Sequence, residues 1–356
     1  MSSVLSFFAS MALSALGMCS CLAASDVITV ADDGHQPRVA VMGEHVVITY
    51  AVGEAVLVST SVDGGKTFAA PVHVGDIARL SVGMRRGPQI AMTEKSVVVA
   101  GIGATAGNIQ SWSSHDWGAT WSSSVTINDQ PKSAAEGLFS LAAGTADTVW
   151  AVWLDARLKK SQIEISRSVN GGAAWSANSA FYTAPAGSVC ECCQPQITTD
   201  GKSAVAVMWR NHVGEARDMW LRTSSNGGAA FNPPIKLGTG TWILNACPMD
   251  GGGVAIDGKA VQTIWRRESS LFTLAPPATS ETSLGEGKNG TVVLAGKTIY
   301  RAWQKGDRIM LAVDAQEPRD LGAGSYPHLA GGATPQTPVM VVWESGSAVH
   351  AVRLTN

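Results

Sequence analysis

Four octamers carry the pattern that decides the fold: SVDGGKTF at 61–68, SHDWGATW at 114–121, SVNGGAAW at 168–175 and SSNGGAAF at 224–231. Each begins with Ser, has Asp or Asn at its third position and Gly at its fifth, and ends on an aromatic residue. Their first residues lie 53, 54 and 56 positions apart. One such octamer carries little information, but four at nearly constant spacing indicate an internal repeat.

Each octamer has the chemistry of a tight turn between two strands. The first lies between the strand-like runs AVLVSTS and AAPVHV. An Asp or Asn side chain can accept backbone N–H bonds within such a turn, and Gly allows a positive φ. The third-position residues are therefore predicted to be structural, and they are Asp63, Asp116, Asn170 and Asn226. Because Asn takes the place of Asp in two of the four octamers, we do not expect a catalytic carboxylate at this position.

The repeat extends into the strands around the octamers. A Pro-x-apolar opening recurs as QPRVAV (36–41), GPQIAM (87–92), QPQITT (194–199) and YPHLAG (326–331). A mostly apolar second strand follows, and five of these second strands close on Trp, at Trp153, Trp209, Trp265, Trp303 and Trp343. Counting the second strands gives seven units, and each unit reads as four strands, A to D, with the octamer between C and D.

Units of this kind cannot bury their apolar faces alone, so the sequence predicts an all-β protein, a single β-propeller of seven four-stranded blades. Six blades is the alternative if one late unit is irregular. The last unit stops after its third strand, whereas DVITVA at 26–31 forms an extra strand near the N-terminus. Pairing this strand into the last blade would close the ring and remove both open edges.

The N-terminus is typical of an export signal. Residues 1–24 are apolar or small from position 4 onward, and CLAA at 21–24 resembles a signal-peptidase site. We therefore predict a signal peptide over 1–24 and a propeller over 25–356, in the periplasm or outside the cell. Cys19 and Cys21 leave lipoprotein processing open, and an uncleaved anchor is a further alternative. No later apolar run approaches the ~20 residues that a membrane span needs.

Composition and charge exclude one class of partner. The chain has 356 residues, of which 15% are charged, and its formal net charge is −2. A nucleic-acid-binding protein needs a basic stripe to neutralise phosphates, and no block of like charges occurs here. The 38 Gly and 12 Trp residues instead suit a protein built from many short strands and turns.

The octamers resemble the Asp box of the sialidase superfamily, also called the BNR repeat. The resemblance implies a propeller whose Asp boxes lie on the periphery, at the turns between strands C and D. It places the active face at the opposite end, where the D–A and B–C loops surround the axis. The Cys-x-Cys-Cys run at 190–193, the Arg217-Asp218 pair and a later Cys-Pro are similar to those of some exported bacterial sialidase-like proteins. This resemblance specifies an architecture and names no reaction.

Arginine is concentrated in the loops that are predicted to form this face. The candidate ligand-binding residues are Arg86, Arg210, Arg217, Arg266 and Arg267. Converging guanidinium groups suit a carboxylate or sulfate, because they bind such groups through two parallel hydrogen bonds. The alternative is that these are solvated loop charges paired with nearby Asp and Glu. The favoured function is binding of an acidic glycan, another anionic ligand or a partner protein.

Exo-sialidase-type glycoside hydrolysis is the alternative function. The run Arg86-Gly87-Pro88-Gln89-Ile90 reproduces the Arg-x-Pro-x-apolar spacing of the sialidase motif. Tyr326 and Glu136 are the candidate catalytic residues, since both fall in loops of the active face. The following loop, AGIGATAGN at 100–108, contains no carboxylate, so the acid that the resemblance leads us to expect is missing. Binding without cleavage is preferred for this reason.

Four cysteines follow the signal segment: Cys190, Cys192, Cys193 and Cys247. An even count in an exported protein favours disulfides. Because Pro195 and Pro248 open the inner strands of adjacent units, we expect Cys247 to pair with Cys192 or Cys193, and Cys190 with the remaining one. The alternative is a Cu(I) or Zn(II) site on these cysteines, with Met249 and His212 nearby. No other cofactor is expected.

Overall fold

The computed structural model describes residues 27–332 and 337–354, and its regular secondary structure in these ranges is entirely β. Seven antiparallel sheets form the blades, and their innermost strands contact one another in one closed circuit. The chain is therefore a seven-bladed β-propeller, as predicted. The segment 1–24, with Cys19 and Cys21, lies outside the described residues. Within the described ranges, no helix has the length and apolar character needed to cross a bilayer.

In the first six blades the strands follow chain order from the axis outward. Blade 1 has β2 (His35–Met42), β3 (His45–Val52), β4 (Ala55–Ser61) and β5 (Val72–Asp76). Blade 2 has β6 (Gln89–Met92), β7 (Val97–Ile102), β8 (Ile109–Ser114) and β9 (Val125–Thr126). Blade 3 has β10 (Phe139–Ala143), β11 (Val149–Asp155), β12 (Gln162–Ser168) and β13 (Ser179–Tyr182).

The next three blades repeat this order with one addition. Blade 4 has β14 (Ser188–Val189), β15 (Gln196–Thr199), β16 (Val205–His212), β17 (Met219–Ser224) and β18 (Ile235–Lys236), and both β14 and β15 pair with β16. Blade 5 has β19 (Gly253–Asp257), β20 (Ala260–Arg267), β21 (Ser270–Leu274) and β22 (Thr282–Glu286). Blade 6 has β23 (Lys288–Ala295), β24 (Thr298–Lys305), β25 (Arg308–Val313) and β26 (Arg319–Ala323).

Blade 7 joins the two ends of the described chain. Its strands are β27 (Ser325–Gly331), β28 (Val339–Ser345), β29 (Ala348–Leu354) and, outermost, β1 (Val27–Ala31). β1 runs antiparallel to β29, with Val27 opposite Val352. The predicted closure by the N-terminal strand is confirmed, and the six-bladed alternative is excluded because each of the seven units forms its own sheet.

Apolar side chains of neighbouring blades pack between the sheets. One core cluster combines Val56 and Val58 of blade 1 with Val97 and Val99 of blade 2, all fully buried. Burial of this kind is the main favourable term in folding. Indoles of second strands lie in these layers, and the fully buried ones are Trp153, Trp209 and Trp343. Each indole N–H donates to an oxygen, so the ring is buried without an unpaired donor.

The octamers form the turns between strands C and D of blades 1 to 4. In the first, the carboxylate of Asp63 accepts the backbone N–H groups of Lys66 at 2.9 Å and Thr67 at 3.0 Å. Asn170 accepts the corresponding N–H of Ala174 at 3.0 Å. The box also contacts the A–B turn of its blade, since Gly64 donates its N–H to the carbonyl of Glu44 at 2.8 Å. The boxes therefore lie at the A–B end of the propeller, opposite the loop face.

Candidate functional site

The loop face is the end of the propeller at which the inner strands begin. These seven strands line a central channel, and a cavity of about 230 Å³ lies within it. Three of the strands open with a bulge whose first residue has a positive φ: Gln36 (52°), Asn289 (56°) and Tyr326 (53°). The residue two positions after each bulge residue lines the cavity. These residues are Arg38, Thr291 and His328.

Arg38 is a buried cation at the loop-face end of this channel. Its side chain donates from Nε to Gln89 Oε1 at 3.3 Å and to the carbonyls of Pro37 at 3.2 Å and Arg85 at 3.5 Å. The residue is 3% exposed, and no carboxylate oxygen in the part of the chain that the structure describes lies within 4.0 Å of its guanidinium. Burial and the neighbouring Arg85 lower the pKa of Arg38 to about 9, an effect that the more distant carboxylate of Glu344 opposes.

His328 lines the same cavity. Its Nδ1 accepts the backbone N–H of Val39 at 3.3 Å, which assigns the ring proton of the neutral form to Nε2. Burial, together with Arg38 and Arg85, lowers the pKa of His328 well below its usual value of 6.5. The imidazole is therefore neutral near pH 7 and offers one N–H donor.

A buried ion pair lies beside this cavity. Arg85, whose φ is 67°, donates from Nε to Gln194 Oε1 at 3.2 Å, and its Nη1 lies 3.5 Å from Asp250 Oδ1. Asp250 accepts the backbone N–H groups of Gly252 at 3.1 Å and Asn289 at 2.9 Å. These bonds tie together the loops that enter blades 2, 4, 5 and 6.

Three cysteines converge at the entry to blade 4. The Sγ of Cys190 lies 2.9 Å from that of Cys193 and 3.6 Å from that of Cys192, and all three sulfur atoms lie within 4.8 Å of one another. All three residues are buried. Burial raises the pKa of Cys193 to about 12, and a hydrogen bond to Cys192 raises that of Cys190 to about 12.

The predicted disulfides are not formed in this structure. Cys190, Cys192, Cys193 and Cys247 are all free, and the shortest of the sulfur–sulfur distances among the first three exceeds the ~2.05 Å of an S–S bond. Cys247 is exposed, and its Sγ lies outside the group of three converging sulfur atoms. The sulfur atoms of the blade 4 loop are directed at one another, so none of them reaches across to bond Cys247.

Charged groups surround the cysteine cluster. Arg217 is 4% exposed, and its Nη1 lies 3.4 Å from the Sγ of Cys190 and 3.5 Å from Glu191 Oε2. The same Glu191 oxygen lies 3.5 Å from Nδ1 of His212. Burial alone would lower the pKa of Arg217, but its neighbours Cys190 and Glu191 raise it. Arg217 is thus placed against sulfur and is shielded from solvent.

Arg210 holds several loops of this face together. It is 1% exposed, and its guanidinium donates to the carbonyls of Arg217 at 2.7 Å, Arg266 at 2.8 Å and Asp250 at 3.2 Å. The guanidinium groups of Arg210 and Arg266 lie 5.2 and 5.4 Å from the ring centre of Trp242. With its donors directed at carbonyls, Arg210 is suited to positioning these loops.

The other candidate residues are distributed around the face. Arg267 is paired with Glu281, with Nη1 2.7 Å from Oε1. Arg86 donates from Nε to the carbonyl of Glu136 at 2.6 Å, and its Nη2 lies 4.0 Å from the Glu136 carboxylate. Burial raises the pKa of Glu136, an effect that Arg86 opposes. Tyr326 lies at the bulge that opens β27, and in the described ranges no hydrogen bond joins it to Glu136.

The structure therefore brings together a different set of residues from the one predicted. Arg217 and the three blade 4 cysteines are neighbours, and Arg86 lies beside Glu136. Arg210 and Arg266 both lie against Trp242, whereas Arg267 is paired with Glu281. The polar groups in the channel that the sequence did not single out are Arg38, Gln89, Gln196 and His328. A signal for them exists, because each is the residue that follows Pro in one of the Pro-x-apolar openings.

No protein-family profile and no curated protein matches this sequence. Solved structures do match. The Hadza microbial sialidase Hz136 is similar with a TM-score of 0.53 and 14% identity, covering 91% of this chain and 66% of that one. The intramolecular trans-sialidase from Ruminococcus gnavus has a TM-score of 0.54 and 10% identity, covering 92% and 95%. A polysaccharide lyase, an ulvan lyase, has a TM-score of 0.54 and 9% identity, covering 92% and 95%.

These similarities show a shared fold and nothing beyond it, because the sequence identities are only 9 to 14%. The architecture that the Asp-box resemblance implies is thereby confirmed, and the chain has a β-propeller fold similar to those of these solved structures.

Proposed function

We propose that this chain is an exported binding propeller that takes the acidic group of a glycan, or of another anionic ligand, at the loop-face end of its channel. The observation that carries the proposal is Arg38, a guanidinium that is 3% exposed and has no carboxylate partner among the described residues. A buried cation with no carboxylate in contact is unfavourable, because burial removes its hydration and the charge of Glu344 offsets this only in part. An anionic ligand would place a negative charge in direct contact with Arg38.

The neighbours of Arg38 suit an oxyanion. Gln89 and Gln196 bring side-chain amides to the cavity, and His328 brings a neutral imidazole whose Nε2 carries the proton. A cavity of about 230 Å³ accommodates a carboxylate or sulfate group and leaves the remainder of a ligand on the loop face. Charge-assisted hydrogen bonds to such groups are about twice as strong as neutral ones.

The electrostatic environment of this face favours an anion. Four arginines of this face are buried, namely Arg38, Arg85, Arg210 and Arg217. Two carboxylates oppose their charge, the buried Asp250 and the partly exposed Glu344. Positive potential in a cleft with low-dielectric walls raises the local concentration of anions. Similar structures include sialidases and an ulvan lyase solved bound to a GlcA(1-4)Rha3S unit, which supports acidic sugars as the first ligands to test.

Calorimetric titration with N-acetylneuraminic acid, glucuronic acid and inorganic sulfate tests the proposal, with galactose as the neutral control. We expect at least one acid to bind and galactose not to bind. Arg38→Gln should weaken binding roughly 10- to 100-fold, since a hydrogen bond to a charged group contributes ~1.5–3 kcal/mol. Arg308→Gln removes an equal charge from the exposed Arg308–Asp320 pair and should leave affinity unchanged. Equal affinities in the two variants, or no binding of any acid, would refute the proposal.

Glycoside cleavage is a second candidate, and the raised pKa of Glu136 is the observation that favours it. Burial favours the protonated form of a carboxyl group, which is the form that a general acid uses. The assay is release of a fluorophore from a sialoside, with Glu136→Gln and Tyr326→Phe as variants. We expect no turnover by the unmodified protein. Turnover that both variants abolish would establish hydrolysis in place of binding alone.

A further inference from the structure

We propose that Cys190, Cys192 and Cys193 form a three-thiolate site for one Cu(I) ion on the loop face. This inference goes beyond the proposed function and does not depend on it. The sulfur atoms of these residues lie within 4.8 Å of one another, so a single ion can contact all three. The residues are 0%, 6% and 1% exposed, which places the ion where water and competing ligands are excluded.

The local backbone explains why three cysteines so close in sequence share one point. The N–H of Cys193 donates to the carbonyl of Cys190 at 3.3 Å, which closes a turn over the run. The N–H of Cys190 donates to the carbonyl of Arg210 at 2.8 Å and anchors this turn to β16. The turn directs the three thiols to the same side, where their sulfur atoms lie within 4.8 Å of one another.

The donor set favours Cu(I) over harder ions. Thiolates and thioethers are soft ligands that select Cu(I), and Met249 packs against the cysteine cluster. Structural Zn(II) is almost always bound by four ligands in a tetrahedron. A fourth thiol, Cys247, is exposed and lies outside the group of three converging sulfurs. The buried part of the site thus offers three sulfur ligands, the number that a trigonal Cu(I) ion accepts.

The charges around the cluster suit the complex that would form. Binding of Cu⁺ to three thiols forms three Cu–S bonds, releases three protons to solvent and leaves a complex of net charge −2. Such a charge is unfavourable in a buried site unless it is offset. Arg217 Nη1 lies 3.4 Å from the Sγ of Cys190, and Arg85 and Arg210 interact electrostatically with Cys193. These buried guanidinium groups therefore stabilise the anionic complex.

The test is anaerobic titration of the full chain with Cu(I) in competition with bicinchoninate. A Cys19→Ser/Cys21→Ser background removes the thiols of the N-terminal segment. We expect one retained Cu(I) per chain and an X-ray absorption spectrum with three sulfur neighbours at the metal. The absorption measurement needs no substitution in the site, so it is informative even if a cysteine variant fails to fold.

Three single variants locate the site. Cys190→Ser and Cys193→Ser should weaken Cu(I) retention by at least roughly 100-fold. Mutating a group that only supports a metal ligand typically lowers metal affinity about 10- to 100-fold, and losing the ligand itself should lower it more. Cys247→Ser, the matched control, should stay within about threefold of the parent. The proposal is wrong if the parent retains no Cu(I), if it binds Zn(II) in preference to Cu(I), or if Cys247→Ser loses the metal as Cys190→Ser does.

Discussion

Nη1 of Arg85 lies 3.5 Å from Oδ1 of Asp250, and both residues are almost fully buried. This pair connects the channel residue Arg38 with the cysteine cluster. The carbonyl of Arg85 accepts a hydrogen bond from Arg38, and its guanidinium interacts electrostatically with Cys193. Removing one member of a buried ion pair leaves the other charge uncompensated, which typically costs ~3–5 kcal/mol.

We therefore predict that Arg85→Met lowers the free energy of unfolding by roughly 3–5 kcal/mol and that Asp250→Asn has a comparable effect. The double variant should lose clearly less than the sum, since it leaves no unpaired charge. Urea denaturation of the parent, the two single variants and the double variant measures the coupling. Additive losses would show that Arg85 and Asp250 act independently of each other.

Replacing Arg38 should stabilise the fold, whereas replacing an arginine with a structural role destabilises it. Because its pKa is lowered in the folded state, the charged form of Arg38 destabilises the fold at all pH values below about 9. This destabilisation is relieved as the pH rises from about 9 toward 12.5, the pKa of the unfolded state. In anion-free buffer at pH 7, Arg38→Gln should therefore raise the free energy of unfolding, by on the order of 1 kcal/mol.

Chemical denaturation at pH 7 and at pH 10 measures this difference. We expect the advantage of Arg38→Gln to shrink at pH 10, and to shrink at pH 7 when a bound acid compensates the charge of Arg38 in the parent. A variant that is less stable than the parent at both pH values would instead assign Arg38 a structural role. The Arg308→Gln variant, which changes an exposed arginine, is the control for general charge effects.

The architecture was predictable because its determinants are local and periodic. Turn chemistry at Asp63 and its three counterparts recurs at nearly constant spacing, and the strand at 26–31 had no partner in its own unit. Each of these signals lies within a few residues of the structure it specifies. The number of blades then follows from counting second strands, and the structure contains all seven.

The site was less predictable because its residues meet only after the ring closes. Arg38 lies in a strand whose sequence is mostly apolar. The sequence around it does not reveal that its guanidinium will lack a carboxylate in contact. Arg210 and Arg217 lie where loops were predicted, but position in a loop does not reveal burial. The convergence of Cys190, Cys192 and Cys193 depends on the turn that Cys193 makes with Cys190, and the spacing alone is compatible with disulfides.

Gly251 should be essential to the geometry beside the channel. A Cβ atom at this position would lie 2.0 Å from the carbonyl oxygen of Gln194, the residue whose side chain holds Arg85. Because the obstacle is backbone, relief requires movement of a loop. We predict that Gly251→Ala lowers the free energy of unfolding by about 3 kcal/mol, as overpacking of a rigid site does.

The control for this variant is Gly258→Ala. Gly258 has a φ of 55°, and a methyl group added there would meet no atom within 4 Å, so its substitution should cost only the ~1 kcal/mol of a left-handed backbone. Gly251→Ala should also weaken binding of the acid that the parent binds, whereas Gly258→Ala should not. Equal losses of stability in the two variants would mean that the contact with Gln194 is not limiting.

The carboxylates of the Asp boxes should make stability sensitive to acid. Hydrogen bonds from Thr67 and Ser61 hold the pKa of Asp63 well below its usual value, and those from Thr120 lower the pKa of Asp116 to about 2. A carboxylate with a lowered folded-state pKa stabilises the fold above its unfolded-state value of ~3.9 and loses this contribution as the pH falls toward 2. Protonation of Asp63 and Asp116 should therefore account for part of the stability that the protein loses in acid.

The natural Asn boxes provide the matched substitution. Asn170 and Asn226 accept the same backbone N–H with no charge, at 3.0 Å in both turns, so Asp63→Asn/Asp116→Asn should keep the turn geometry. We predict that this double variant is less stable than the parent at pH 7 and that the difference narrows as the pH falls from about 4 toward 2. Denaturation series from pH 7 to pH 2 measure both. The reverse change, Asn170→Asp, should add a smaller, pH-dependent stabilisation, because its carboxylate would accept from the Ser168 hydroxyl and the Ala174 N–H but from no Thr hydroxyl. A constant difference between parent and double variant over this range would show that the boxes act through geometry alone.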